Sequence, residues 1–158
     1  MEIQRNKPVT GKPEALTQEN SGKPLKATVF DYRTPTNFEK PKAVVRLCSS
    51  DIVFSNVQVV KTGGETNLHT HTANDGVWMV LKGRAKFYGI DNALLADLGP
   101  LQGIHIPRGF YYWFESSSSE LLELLQVEAI DKSVEKRRLD VTPRKVGRSE
   151  HLSGIVNT

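Results

Sequence analysis

The sequence predicts an all-β chain folded as a single sandwich or barrel, and three observations carry that expectation. Residues 43–131 read as short runs rich in β-branched and aromatic residues, and almost every break between them holds Gly, Pro, Asn, Asp or a Ser run. The 158 residues, 38% hydrophobic and 25% charged, suit one globular domain with a real core and argue against a second. Helical patterning is minor: DKSVEKRRLD, residues 131–140, offers a turn or two that Pro143 limits.

In chain order, residues 1–42 form an N-terminal arm. Its first 26 residues hold three Lys-Pro pairs and little apolar periodicity, so they read as extended chain. ATVFDY (27–32) is a short strand, able to join this subunit's own sheet or a second subunit's, and TPTNFEKPK is a loop. The body, 43–131, supplies AVVRLCSS (43–50), DIVFSNVQVVK (51–61), TNLHTH (66–71), VWMVLKGRAKFYG (77–89), ALLADLG (93–99), GIHIP (103–107), YYWFES (111–116) and ELLELLQVEAI (120–130). Residues 132–158 are a polar, basic tail.

The net charge of +3 is unevenly spread: residues 1–42 carry +3, 43–131 carry −4 and 132–158 carry +4. An acidic body without a recognition helix or stacking motif argues against nucleic acid as a partner. No run approaches the roughly 18 apolar residues of a membrane helix, and the first residues lack a signal-peptide core. The single Cys48 cannot form an internal disulfide. A cytoplasmic protein with no membrane partner is the expectation.

The richest stretch is GGETNLHTHTANDGVWMVLKG, from Gly63 to Gly83, in which His69 and His71 project from the same face of an extended strand. It resembles the first motif of the cupin family, with Gly63, His69, His71 and Gly83 in register and Gly76 where that motif has glutamate. LQGIHIPRGFYYWFES resembles the second motif through Pro107 and Gly109, with Leu101 replacing its first glycine, Tyr112 its histidine and Ser116 its asparagine. The resemblance covers about residues 43–131 and implies a single jelly-roll, or double-stranded β-helix, barrel. It also implies that two of the family's four metal ligands are absent here. Open jelly rolls have edges to cover, so a homodimer is expected, with ATVFDY pairing across a two-fold axis.

His69 and His71 are thus the candidate metal ligands, holding Zn, Ni, Fe or Mn only loosely for want of further donors. Asp75 would turn towards them only through a bulge at residues 74–76; an Asp-Gly turn before Val77 is the other reading. His105 reads as a structural histidine and Glu65 as a solvated turn residue, whereas Asn67 shares the phase of His69 and His71 and so is a cavity candidate. On the aromatic strand Phe110, Tyr112 and Phe114 share the face that the motif register turns inward. A cavity tyrosine serves either as the acid partner of a histidine or as plain packing. Trp78 is either a stacking platform or core filling, and Gln126 and Glu128 become pocket residues if their face of the last strand is the inner one.

These residues lead to a small-molecule-binding barrel in which His69, His71 and Tyr112 perform acid/base isomerisation, epimerisation, cyclisation or elimination of a polar or carbonyl substrate. The alternatives are a divalent-metal enzyme of the non-haem iron dioxygenase type with an incomplete ligand set, and a ligand-binding module without turnover.

Overall fold

Side-chain alternation decides this fold, because each long strand has one apolar phase for the barrel interior and a second for an outer layer. The computed structural model describes residues 19–20, 23–24, 26–135, 137–144 and 149–156. The remainder of the 1–26 arm, read above as extended chain, lies outside the described residues. Its strands are β1 (Glu19–Asn20), β2 (Lys23–Pro24), β3 (Val29–Phe30), β4 (Lys42–Ser49) and β5 (Val53–Val60), followed by β6 (His69–His71), β7 (Asn74–Lys82) and β8 (Ala85–Tyr88). After a 3-10 turn at Ile90–Asn92 come β9 (Leu94–Leu98), β10 (Gly103–Ile106), β11 (Trp113–Ser116) and β12 (Leu122–Ile130). The tail supplies β13 (Arg138–Asp140), β14 (Ser149–Ser153) and β15 (Ile155–Val156).

Six strands form the large sheet, in the order β10-β7-β12-β5-β4-β14. The facing layer joins β13 to β6 and β11 to β8 and β9, and its two parts meet where His69 and Tyr112 exchange backbone hydrogen bonds of 3.1 and 3.0 Å. Between the layers lie Trp78, Val80, Phe87, Phe114, Leu122 and Leu124, which close one end of the barrel. A second cluster sits on the outer face of the large sheet, where Val45, Leu47, Val57 and Val59 are covered by Tyr32 and Phe38 of the arm. The arm is fastened there by polar contacts as well, since Tyr32 and Thr34 donate to the two oxygens of buried Glu123 at 2.7 and 2.8 Å.

Three expectations change. The sequence reads 131–140 as a helical turn, but Arg138–Asp140 is a strand paired with His69–His71, and no α-helix occurs among the described residues. Antiparallel backbone pairing to β6 outweighs a weak local helical preference that Pro143 already limits. Asn74-Asp75-Gly76 makes neither a turn nor a bulge: all three residues pair with β12 in regular register, and the turn falls at Thr72–Ala73. Gly76 also pairs with Ile106 of β10, so its backbone is laddered on both sides, which overrides the turn preference of Asp-Gly. The tail, finally, is part of the barrel, with β14 running parallel to β4 as the edge of the large sheet. Val29–Phe30, the centre of ATVFDY, pairs with Ile155–Val156 of the same chain.

Two glycines have steric work. Gly83, which closes the histidine motif, has φ 75° in the β7–β8 turn, a conformation costly for other residues. Gly103 lets β10 close on β7, because a Cβ there would lie 2.4 Å from the Trp78 carbonyl oxygen. Gly103→Ala is therefore expected to cost about 1–3 kcal/mol of stability through forced backbone movement. Urea denaturation measures it, and an unchanged midpoint would contradict the close approach.

Candidate functional site

The register of the large sheet lines up side chains on its inner face. Arg46, Asn56, Gln126 and Trp78 face one another in a row across β4, β5, β12 and β7, and beside them Phe54, Glu128 and Gly76 form a second row. Beyond the apolar end of the barrel these rows line a cavity of about 860 Å³. The facing wall carries His69, His71, Tyr112, Phe114, Asn67 and Arg138.

Glu128 organises the first wall. One carboxylate oxygen accepts from Gln126 Nε2 at 2.5 Å and the other from Asn74 Nδ2 at 2.7 Å. A carboxylate only accepts, so both amides must present their nitrogens to it. Gln126 then presents its oxygen to Asn56 Nδ2 at 3.0 Å and Gln58 Nε2 at 2.8 Å. The amide orientations thus follow from one acid, and Asn56 Oδ1, Gln58 Oε1 and Asn74 Oδ1 are left buried without a donor.

On the opposite wall His69 is buried, and its Nδ1 lies 2.7 Å from the Asn67 carbonyl oxygen. A carbonyl can only accept, so Nδ1 carries the proton and Nε2 holds a free lone pair. Burial first, and the nearby Arg138 charge second, lower the pKa of His69 to about 3, so the ring is neutral at ordinary pH. Arg138 is itself fixed: Nη2 donates to Asn67 Oδ1 at 2.6 Å and Nε to Asp140 Oδ1 at 2.8 Å. Burial works against ionisation of Asp140, but hydrogen bonds from Asn67 and Arg138 hold its carboxyl below the ordinary value. The Tyr112 ring lies 4.7 Å from that of His69, and His71 meets His69 edge-on at 5.1 Å. Burial and then the Glu128 charge push the Tyr112 phenol well above its usual pKa, so it holds its proton. Trp78 Nε1 is close enough to favour the phenolate slightly, yet it meets no partner in hydrogen-bonding geometry.

The sequence candidates divide accordingly. His69, His71, Tyr112, Asn67, Trp78, Phe114, Gln126 and Glu128 converge on the cavity, and Glu65 reaches its lining too, despite its reading as a solvated turn residue. Phe110 does not join them: it is 41% exposed beside a minor crevice at Gly76 and Pro107, because β11 begins only at Trp113. Asp75 faces outward and accepts from the Arg108 backbone N–H at 2.8 Å, while His105, opposite Val77, lies off the cavity. Residues missed in the sequence are Asn74, Asn56, Gln58, Lys42, Arg46 and Arg138. The alternation Phe54, Asn56, Gln58 was visible, but which face was inner was not; Arg138 gave no local signal.

The donor set is poor for a resident metal. Among the described residues no group of three or more His, Cys, Asp or Glu side chains could hold an ion, and Arg138 adds a positive charge near His69.

No family model and no curated protein matches the chain. Solved structures do. A conserved protein with a double-stranded β-helix domain from Klebsiella pneumoniae is 19% identical at TM-score 0.54, covering 69% of this chain and 91% of its own. An RmlC-like cupin family protein from Methanocaldococcus jannaschii is 18% identical at TM-score 0.54, over 67% and 93%. The polyketide cyclase RemF of Streptomyces resistomycificus is 21% identical at TM-score 0.52, over 63% and 70%. These likenesses show the fold, a cupin double-stranded β-helix barrel.

Two outcomes follow from the geometry. Gly76→Glu combined with Tyr112→His is expected to supply the two missing donors and strengthen Zn binding by several kcal/mol, although a Cβ at Gly76 meets Trp78 Nε1 at 3.3 Å. Isothermal titration compares the two proteins, and equal affinities in folded samples would refute the assigned positions. As pH falls from 6.5 towards 3, unfolded chains protonate at His69 while folded chains resist, so stability declines with acidification. His69→Asn keeps a donor for Asn67 but does not titrate. The wild type is expected to lose up to about 1.4 kcal/mol more per pH unit than this variant in that window, read by urea denaturation; parallel profiles would contradict it.

Proposed function

We propose that the barrel binds a small polar carbonyl compound and catalyses proton transfer on it without a resident metal. The observation that carries this reading is the complementary pair at the cavity wall: His69 presents a lone pair at Nε2, and Tyr112, 4.7 Å away ring to ring, retains its proton. A fixed acceptor and a fixed donor on one face are what enolisation needs.

In this reading His69 Nε2 takes a proton from the carbon beside the substrate carbonyl. The C–H electron pair becomes the new C=C bond, and the carbonyl π electrons move to oxygen. Tyr112 hydrogen-bonds that oxygen or passes it a proton, and Arg138 opposes the developing negative charge. Return of the His69 proton to a different carbon completes an isomerisation; attack of the enol carbon on a second carbonyl completes a cyclisation.

The depressed pKa of His69 narrows the substrate. An imidazole that gains a proton only near pH 3 is a weak base, so the proton it removes must already be acidic, as in keto acids and β-dicarbonyls. The fold likeness to a protein named as a polyketide cyclase is compatible with such chemistry. Loosely held Zn, Ni, Fe or Mn at His69 and His71 would be adventitious in this reading.

Ketonisation of the enols of phenylpyruvate and oxaloacetate, followed by ultraviolet absorbance, tests it. Acceleration by the wild type is expected to fall roughly 10²–10⁴-fold in Tyr112→Phe. Acceleration that survives in Tyr112→Phe would overturn the assignment, and binding with no acceleration would leave a ligand-binding module without turnover.

A further inference from the structure

We infer that the molecule bound in the barrel carries an anionic group, a carboxylate in the first instance, which Arg46 and Arg144 hold at the wall formed by β4 and the C-terminal segment. This rests on the reading of the barrel as a small-molecule site, and it adds the charge of the ligand and its orientation.

The cavity lining contains four basic side chains, Lys42, Arg46, Arg138 and Arg144, against two acidic ones, Glu65 and Glu128. Of these, Arg138 is paired with Asp140, while Glu128 is hydrogen-bonded by the neutral amides of Asn74 and Gln126 and keeps its charge. Arg46 differs: among the described residues its guanidinium has no ion pair or hydrogen bond, and its contact is with the Phe54 ring at 6.0 Å. Arg144 likewise has no such partner among the described residues.

The placement of Arg46 is a product of strand phase. In β4 Ala43, Val45 and Leu47 turn outward to the second core, which sends Lys42, Val44 and Arg46 to the cavity face, Lys42 buried and Arg46 exposed at the rim, as Arg144 is. A surplus of cations around the cavity mouth favours a negative ligand. A guanidinium supplies a planar fork of donors matched to a carboxylate or phosphate.

The sheet register supplies a distance. Arg46 and Trp78 stand at opposite ends of one row, three strand spacings apart, or about 14 Å at Cα. Trp78 adjoins Tyr112, with ring centroids 6.2 Å apart. An extended small molecule can therefore anchor its anionic end at Arg46 and bring its carbonyl to Tyr112 and His69.

The experiment reads binding, not turnover. Isothermal titration of the full chain at low salt uses a keto acid whose carboxylate is several bonds from its carbonyl, 5-oxohexanoate, its methyl ester and inorganic phosphate. The carboxylate is expected to bind at least about tenfold more tightly than the ester, and Arg46→Gln to remove most of that difference while leaving ester affinity alone. Arg46→Lys should restore part of it, and Arg33→Gln, a remote surface change, should do nothing. Phosphate that competes with the carboxylate and weakens in Arg46→Gln would uphold the anion subsite and assign it to phosphate esters. Equal affinity for acid and ester, equal loss of both in Arg46→Gln, or no binding by any acid or phosphate would overturn the inference. The wild type separates the two readings: preference for acid over ester without any acceleration of ketonisation sinks only the proton-transfer reading, whereas acceleration without charge discrimination sinks only this one.

Discussion

Glu128 is a carboxylate inside a β-barrel, and the polar half of the cavity takes its arrangement from that fact. Burying such a group is tolerable only when both oxygens are hydrogen-bonded, and here two amides from two strands do this. Each amide then has a fixed direction, and the constraint passes through Gln126 to Asn56 and Gln58. One acid thereby specifies the faces of residues on β5, β7 and β12. Gly76, its cross-strand neighbour, leaves the space beside it open.

Much of the fold was legible because strand phase and turn residues are local properties. Most body strands from Lys42 to Ile130 begin and end within two or three residues of their expected places, but the run 77–89 divides into two strands at Gly83, which adopts the left-handed conformation. The site was legible only where a strand carried both its phase and a clue to which phase was inner. His69, His71 and Tyr112 had that clue in the motif register. Asn56 and Gln58 had the phase without the clue, while Asn74 was hidden by a stretch whose Asp-Gly dipeptide mimicked a turn. Arg138 was illegible for a different reason: it reaches His69 through pairing between β13 and β6, a contact between distant segments that neither segment announces.

Electrostatics explains why the histidine pair behaves as it does. In a metal-binding arrangement a cation would sit at the imidazole nitrogens and be balanced by a carboxylate. Here the fixed cation is a guanidinium, the carboxylate that balances it is Asp140, and the buried imidazole near the pair is kept neutral. The positive charge beside His69 is thus part of the covalent structure.

The wall that β14 contributes has a consequence for how the barrel is made. Lys42 and Ser149 are parallel partners separated by most of the chain, so the edge of β4 emerges from the ribosome long before its cover does. During that interval β4 presents unpaired backbone donors and acceptors, together with an outer face of Val45 and Leu47, to any neighbouring nascent chain. Synthesis rate and chaperone access therefore bear on the yield of this barrel, whose cavity wall is complete only once β14 has been made.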